Sequence, residues 1–341
     1  MPDFVDILNA LALMSNFVFV PALSYGAQLA LGALGITLVF GILRFANFAH
    51  GDQMAFGTMV VVLVTFWLQA MGVSIDPVPT AFLALPIGIA VAILMSLGID
   101  RTVYRFYRKR RVAPVIYVVA SVGVMYLLNG LTRFVIGPDD QRFADGARFL
   151  INAREFKEMT GLAEGITIKV SQGLTVLISI IVVIALFWFL QKTRMGKAMR
   201  AYSDNEDLAL LSGINPEKVV AVTWIIAATL ATIAGTMYGL DKSFKPFTYF
   251  QLILPMFAAA IVGGIGQPVG AIVGGFIVAF SEVMLTYAYK KVALYLTHGG
   301  WEPEGLLQIL STEYKFAISF LILVVVLLVR PTGIFRGKVI T

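Results

Sequence analysis

The chain has 341 residues, of which 59% are hydrophobic and only 13% charged, whereas a soluble domain carries roughly a quarter charged residues. The apolar excess runs along the whole length, which excludes an ordinary soluble globular protein and leaves one polytopic, all-α membrane domain over 1–341 with no separate soluble unit. There is no cysteine, so disulfides, thiol chemistry and Cys-ligated metal are excluded, and the net charge of +6 fits basic cytoplasmic loops better than a nucleic-acid surface.

The chain opens Met-Pro-Asp-Phe-Val-Asp, acidic where a signal peptide would be basic, so no cleaved signal is expected. Residues 4–18 mix Asp6 and Asn9 with Phe, Ile and Leu. That pattern suits an amphipathic helix lying in the membrane interface or a further span. A spanning helix needs about 20 mostly apolar residues. Clear candidates follow at 20–42, 54–72, 79–99, 113–136, 170–190, 218–240, 267–289 and 315–330, with 251–264 apolar but short, which makes eight to ten spans.

Basic residues set the expected orientation. Arg101, Arg105, Arg108, Lys109, Arg110 and Arg111 crowd the loop 101–112. Lys192, Arg194, Lys197, Arg200 and Lys218 mark the loop 191–218, and Arg330, Arg336 and Lys338 mark the tail. These regions are placed in the cytoplasm, with the C-terminus inside. The loop 137–169, whose basic residues are offset by Asp139, Asp140, Asp145, Glu155, Glu158 and Glu164, is placed in the periplasm. The segment 286–314, with Trp301, Glu302 and Glu304, falls on the same outer side.

Two interruptions are unusual for simple spans. The first puts Arg44, Asn47, His50 and Asp52 between apolar runs with almost no loop composition. It reads either as a turn at the cytoplasmic surface, with Asp52 capping the next helix, or as a broken helix facing a wet path, since non-helical backbone at membrane depth must be buried in protein or line a cavity. The second is 257–275, where Gly263, Gly264, Gly266, Pro268 and Gly270 punctuate one apolar stretch. Its glycines serve either close helix packing or a second break. Asn47, His50, Asp52, Gly263, Gly264 and Gly266 are the candidate translocation-path residues. His50 and His298 lie far apart in sequence without metal-site spacing, so no metal site is expected.

The cytoplasmic loop 191–217 contains a short capped helix. Asp204 is the expected N-cap, with Asp207 three residues on as the capping-box acid and Glu206 adding charge at the positive end of the dipole. Leu208 and Leu211 share a face at i, i+3 spacing, Gly213 suits the left-handed C′ position, and Pro216 blocks immediate continuation. Such a helix is marginal alone. Its apolar stripe asks for a partner, or the segment is an ordinary loop lying on the membrane. No Walker A sequence is present, Gly264-x-Gly266 lacks a dinucleotide-fold context, and intramembrane acids are few, chiefly Asp52 and Glu282. The chain therefore has no ATPase motif and offers little ion coupling.

Four stretches, in order, resemble the membrane subunits of branched-chain amino acid ABC importers, the LivH/LivM class, with closer likeness to the LivH side. They are Gly41-Ile-Leu-Arg-Phe-Ala-Asn-Phe-Ala-His-Gly-Asp52, the loop from Gly196-Lys-Ala-Met-Arg-Ala through Asp204 to Asn215, the run 222–239, and Val262-Gly-Gly-Ile-Gly-Gln-Pro-Val-Gly-Ala-Ile-Val-Gly-Gly275. The stretch before residue 25 and the segment 286–314 look extended relative to that family. The resemblance implies an ABC permease fold in the bacterial inner membrane, surrounded by lipid. It also implies a second permease subunit in a hetero- or homodimer, a periplasmic substrate-binding protein, and two ATPase subunits that bind the ATP and Mg, leaving this chain without a cofactor or catalytic residue. Gly196, Lys197, Arg200, Asp204, Asp207, Leu208, Leu211, Gly213 and Ile214 would then form the element that docks on an ATPase. Branched-chain amino acids are the expected solute. Urea or short amides are the alternative within the family, and an ion-coupled carrier or channel is the alternative of another class.

Overall fold

A computed structural model describes residues 3–298, 301, 304–330 and 332–335. The helices in chain order are α1 (Phe4–Met14), α2 (Val20–Leu43), α3 (His50–Ala70), α4 (Ala81–Ile99), α5 (Arg105–Lys109), α6 (Pro114–Ile136), α7 (Ala153–Thr160), α8 (Val170–Lys192), α9 (Arg194–Asp204), α10 (Glu206–Leu211), α11 (Pro216–Asp241), α12 (Pro246–Gly263), α13 (Pro268–Thr286), α14 (Lys290–Leu296) and α15 (Lys315–Val329). Two short strands, β1 (Phe149–Ile151) and β2 (Ile168–Lys169), pair antiparallel beside α8. Among the described residues nine helices are long and apolar enough to cross a membrane. The protein is an all-α, multi-pass membrane protein.

The first span differs from expectation. Residues 4–18 are neither a separate span nor an interface helix. They continue through a π-bulge at Ser15–Phe19 into α2, giving one 40-residue helix from Phe4 to Leu43. At 1.5 Å per residue this is about 60 Å, twice the hydrocarbon core. The excess rises beyond one end of the bundle, where Ala10 and Leu13 pack on Val292 of α14. Asn9 Oδ1 accepts from Glu164 N at 3.1 Å and Asn16 Oδ1 from Thr167 N at 2.9 Å, so Asn9 and Asn16 hold the loop 137–169, while Asp6 pairs with His298. The third span also runs on, through a second π-bulge at Asp100–Tyr104 into α5. Its acid is satisfied there, because Arg108 donates to both Asp100 oxygens at 2.8 and 3.1 Å and Trp224 Nε1 donates at 2.9 Å.

Helix α2 is apolar on every side and lies at the centre, as such a helix must. Its residues from Ala22 to Ile42 are nearly all buried against α8, α11, α12 and α13. Close approach depends on glycine. A Cβ on Gly275 of α13 would sit 2.7 Å from the Ala30 backbone nitrogen of α2. A Cβ on Gly263 would overlap the Gly270 carbonyl across the α12–α13 turn.

The two ends differ in charge. Arg105 and Arg108 meet Glu217 at 3.1 and 3.6 Å, which brings the loops 101–112 and 191–218 together. The turn 264–267 and residues 332–335 join them, with Ile334 N and Phe335 N bonding to the Val262 and Gly263 carbonyls at 2.9 and 3.1 Å. The loop 137–169 and residues 286–298 meet at the opposite end, where Lys291 and Tyr295 contact Glu164 and His298 pairs with Asp6. The basic regions thus gather on one end, as the charge pattern requires. Glu302, Arg336 and Lys338 lie outside the described residues. The histidines remain apart, but His298 meets Asp3 and Asp6, so that one ligand atom of each lies within 4.8 Å of the others.

Two predictions follow from this packing. Gly275→Leu should lower the unfolding midpoint in detergent by the equivalent of about 1–3 kcal/mol of overpacking. Gly123→Leu, on α6 where a Cβ meets nothing within 4 Å, should not. Equal midpoints for the two variants would refute the close α2–α13 seam. The second concerns His298. Its hydrogen bond to Asp6, with the charges of Asp6 and Asp3, holds the imidazolium above the ordinary histidine value. The contact therefore contributes fully below about pH 6.5 and is lost as pH rises through the raised value. Proteolytic nicking in 290–311 should increase over that alkaline interval, and His298→Ala should nick readily at every pH.

Candidate functional site

The segment 194–215 forms two helices set at an angle, each opened by a side-chain cap. Thr193 Oγ1 accepts from Gly196 N at 3.0 Å and starts α9. Gly196 is buried on the end of α8, where a Cβ would sit 2.5 Å from the Leu190 Cα, so the close approach requires glycine. Helix α9 runs through Asp204, and the N-cap of α10 is Asn205 rather than Asp204. Asn205 is extended (φ −150°, ψ 108°) and its Oδ1 accepts from Leu208 N at 3.0 Å. Asp207 therefore stands at the second helical position rather than the third. No capping box forms, and Asp207 with Glu206 supplies only first-turn negative charge. Glu206 is further fixed by the Tyr202 hydroxyl, which donates to it at 2.6 Å.

The C-terminus of α10 follows expectation. Gly213 is left-handed (φ 80°), its N–H bonds to the Leu210 carbonyl at 3.0 Å, and Ile214 N bonds to the Ala209 carbonyl at 3.1 Å, which is the Schellman pattern. Ile214 packs against the core and Ala209 is buried beneath the helix. Pro216 does more than stop a helix. It is the first residue of α11, whose N-cap Asn215 accepts from Lys218 N at 3.2 Å. With both ends fixed and Ala209 turned inward, Leu208 is left 61% exposed and Leu211 85% exposed. Lys197 and Arg200 are exposed on α9.

The first interruption is not a surface turn. Leu43 ends α2 at Arg44, which is left-handed (φ 58°), and the chain then turns back along the bundle. His50 packs on Gly35, where a Cβ would sit 2.6 Å from the ring. Gly35 is eight residues before the end of α2, about 12 Å into the helix. Helix α3 therefore begins inside the bundle, and Asn47, His50 and Asp52 are at most 1% exposed. The freed backbone is satisfied locally: Asn47 Oδ1 accepts from Ala49 N at 3.2 Å and from the Tyr104 hydroxyl at 3.3 Å, and Phe48 N donates to Ser121 Oγ at 3.1 Å. Asn47 Nδ2 donates to Gln53 Oε1 at 3.2 Å. Asp52 does not cap α3; its Oδ1 accepts from Asn129 Nδ2 of α6 at 2.7 Å. Asp52 Oδ2 and both His50 ring nitrogens are buried without a partner.

The candidate path residues fall into two groups. Asn47, His50 and Asp52 share the interior. Gly263, Gly264 and Gly266 form the α12–α13 turn at the basic end, where Gly264 (φ 109°) and Gly266 (φ 83°) adopt backbone suited to glycine. That turn borders a cleft of about 300 Å³ lined also by Gly41, Met199, Arg200, Ser203 and Asp204. The second interruption is thus a hairpin beside α9, not a companion of His50.

Two lines of contacts, which add Ser203, Asp100, Tyr104, Trp224 and Glu217 to Arg44 and Arg108, connect the two places. The Arg44 guanidinium donates to the Ser203 carbonyl, and Ser203 Oγ donates to the Gly41 carbonyl at 3.0 Å. This clamps α9 to the end of α2 where the break begins. A second line runs from Glu217 through Arg108, Asp100 and Trp224 to Tyr104, whose ring stacks on Trp224 at 5.3 Å and whose hydroxyl reaches Asn47. Asp100 at the end of an apolar run was the only sequence signal for that line.

A profile of the family described as branched-chain amino acid transport system, permease component, matches residues 18–327. The chain is 31% identical over 316 residues to the high-affinity branched-chain amino acid transport system permease protein LivH of Salmonella typhimurium, covering 91% of each chain. It is 30% identical over 318 residues to the corresponding permease protein BraD of Pseudomonas aeruginosa, covering 92% of this chain and 94% of that one. A more distant likeness, 24% over 258 residues, links 74% of the chain to 72% of the ribose import permease protein RbsC of Escherichia coli. With the family profile spanning nearly all of its membrane helices, the chain belongs to the family of branched-chain amino acid transport permease components.

Proposed function

We propose that this chain is the permease subunit of a binding-protein-dependent ABC importer that carries branched-chain amino acids across the cytoplasmic membrane by alternating access. The family and the names of the relatives support the class and the solute. The observation that carries the mechanism is α10, a helix capped at both ends that holds two leucines uncovered. Burying one leucine is worth about 1.5–3 kcal/mol. A separate ATPase subunit gains that by covering Leu208 and Leu211, with Lys197 and Arg200 beside them. ATP and Mg belong to the ATPases, and this chain needs no cofactor. The basic end is cytoplasmic and the end carrying 137–169 and 286–311 faces the periplasm, where a substrate-binding protein delivers solute. A second permease subunit completes the path. Movement of α9 and α10 on ATP binding pulls on the Arg44–Ser203 clamp and on Asn47, and so on the interior break. Packed helices transmit such shifts because they switch between discrete packings rather than stretch.

Replacing both leucines, Leu208→Asp with Leu211→Asp, should abolish copurification of the ATPases and ATP-driven uptake while insertion is unchanged. A double variant that keeps its ATPases and transports at the normal rate removes α10 from the coupling role. Orientation has its own test, made clean by the absence of native cysteine. In intact cells Asp140→Cys should react with an impermeant thiol reagent, and Lys109→Cys should react only after the cytoplasmic face is opened. The reverse labelling would invert the assignment.

A further inference from the structure

The interior break contains an incomplete polar site. Asp52 is 1% exposed, and only one of its two oxygens is bonded, to Asn129 Nδ2 at 2.7 Å. The other oxygen is buried without a partner. Arg133 lies four residues beyond Asn129, on the same face of α6 and one turn along. Its charge acts on Asp52, yet the two form no ion pair, and Arg133 Nε is buried without an acceptor. The Arg133 guanidinium instead lies 5.7 Å from the centroid of Phe247, which stacks on Phe250 at 6.1 Å. A carboxylate oxygen and a guanidinium nitrogen are thus each left open, beside an aromatic wall. Arg133 stands in the last turn of α6, and an acid held inside a span with an open oxygen is a candidate functional site.

Asp52 is bonded to Asn129, and Arg133 follows Asn129 by one helical turn, about 5.4 Å along α6. A small molecule carrying both a cation and an anion can engage two such groups, whereas a single charge answers only one of them. We propose that Asp52, with Asn129 holding it, and Arg133 bind the α-ammonium and α-carboxylate of a zwitterionic amino acid, with Phe247 and Phe250 against its apolar side chain. The proposal rests on the reading of the chain as an amino-acid permease and deepens it. The site is neutral as a whole, matching a neutral zwitterion, and it selects against solutes that lack either charge, such as urea and amides. Asn129 positions Asp52 by occupying one oxygen and leaving the other for the ammonium.

The test uses the membrane complex of permeases and ATPases in nanodiscs, without the delivery protein, and measures binding of leucine, 3-methylbutylamine (no carboxylate) and 4-methylpentanoate (no ammonium). In the native complex, loss of either group should weaken binding at least about tenfold, the worth of one charged hydrogen bond. Arg133→Gln should bind leucine and 3-methylbutylamine equally. Asp52→Asn should bind leucine and 4-methylpentanoate equally. Arg133→Lys keeps the charge and should retain the native ranking, which separates recognition from misfolding. Asp52→Asn and Arg133→Gln complexes that bind leucine as tightly as the native complex and keep its ranking overturn the site and leave the amino-acid permease reading standing. A native complex that imports no amino acid when reconstituted in liposomes with its delivery protein and ATP overturns both.

Discussion

Every backbone polar group inside a membrane must find a partner within the protein, and the break at 44–49 is where this chain meets that constraint. A helix would have satisfied those groups automatically. Here Asn47 and Ser121 do so instead, with the Tyr104 hydroxyl bonded to the Asn47 side chain. The cost of ending α2 at Leu43 and restarting α3 inside the bundle fixes much else. It requires a glycine at position 35 to admit His50, and a residue in left-handed backbone at Arg44. It also needs a stable platform on α4, α6 and α11 for the side chains that replace helical hydrogen bonds.

That platform joins the interior to the basic end. Asp100 is the pivot: held by Arg108 and Trp224, it fixes Tyr104, and Tyr104 reaches Asn47. The Arg44–Ser203 clamp is a shorter route from the same end. In both, a polar group at one end of the bundle touches the residues that support the break. A displacement of α9 therefore acts on the start of the break through the Arg44 side chain, which is bonded to the Ser203 carbonyl. The hairpin at 264–267 lies against the same cleft, so α12 and α13 share the displacement through packing that glycine keeps too close to slip freely.

The charged groups of the spans are used unevenly. Asp100 is fully engaged and structural. Glu282 on α13 accepts from Ser319 at one oxygen, and the other takes no hydrogen bond but is ion-paired with Lys315 at 3.5 Å. Asp52 differs in having one oxygen bonded to Asn129 and no ion-pair partner at the other. Residue type alone does not reveal this difference between two acids of the membrane interior.

The amino-acid sequence determined the class, most spans, the two interruptions and the family, because each is written in local chemistry: apolar length, polar residues in apolar runs, and short motifs. Gly213 was legible for the same reason, since only backbone conformation decides a left-handed helix end. What the sequence left open depended on distant partners. Asp204 was the expected cap, and the role fell to Asn205 because α9 runs on to residue 204 and leaves 205 extended. The first helix fused with its N-terminal stretch because Asn9 and Asn16 found backbone donors some 150 residues away. That Asp52 bonds across to another helix instead of capping α3 was decided by Asn129, 77 residues later in the chain. The two glycine-marked and polar interruptions looked like one kind of feature, and only packing separated them. One became a hairpin at the basic end and the other a break in the interior, since depth in a bundle is a property of neighbours and not of the residues themselves.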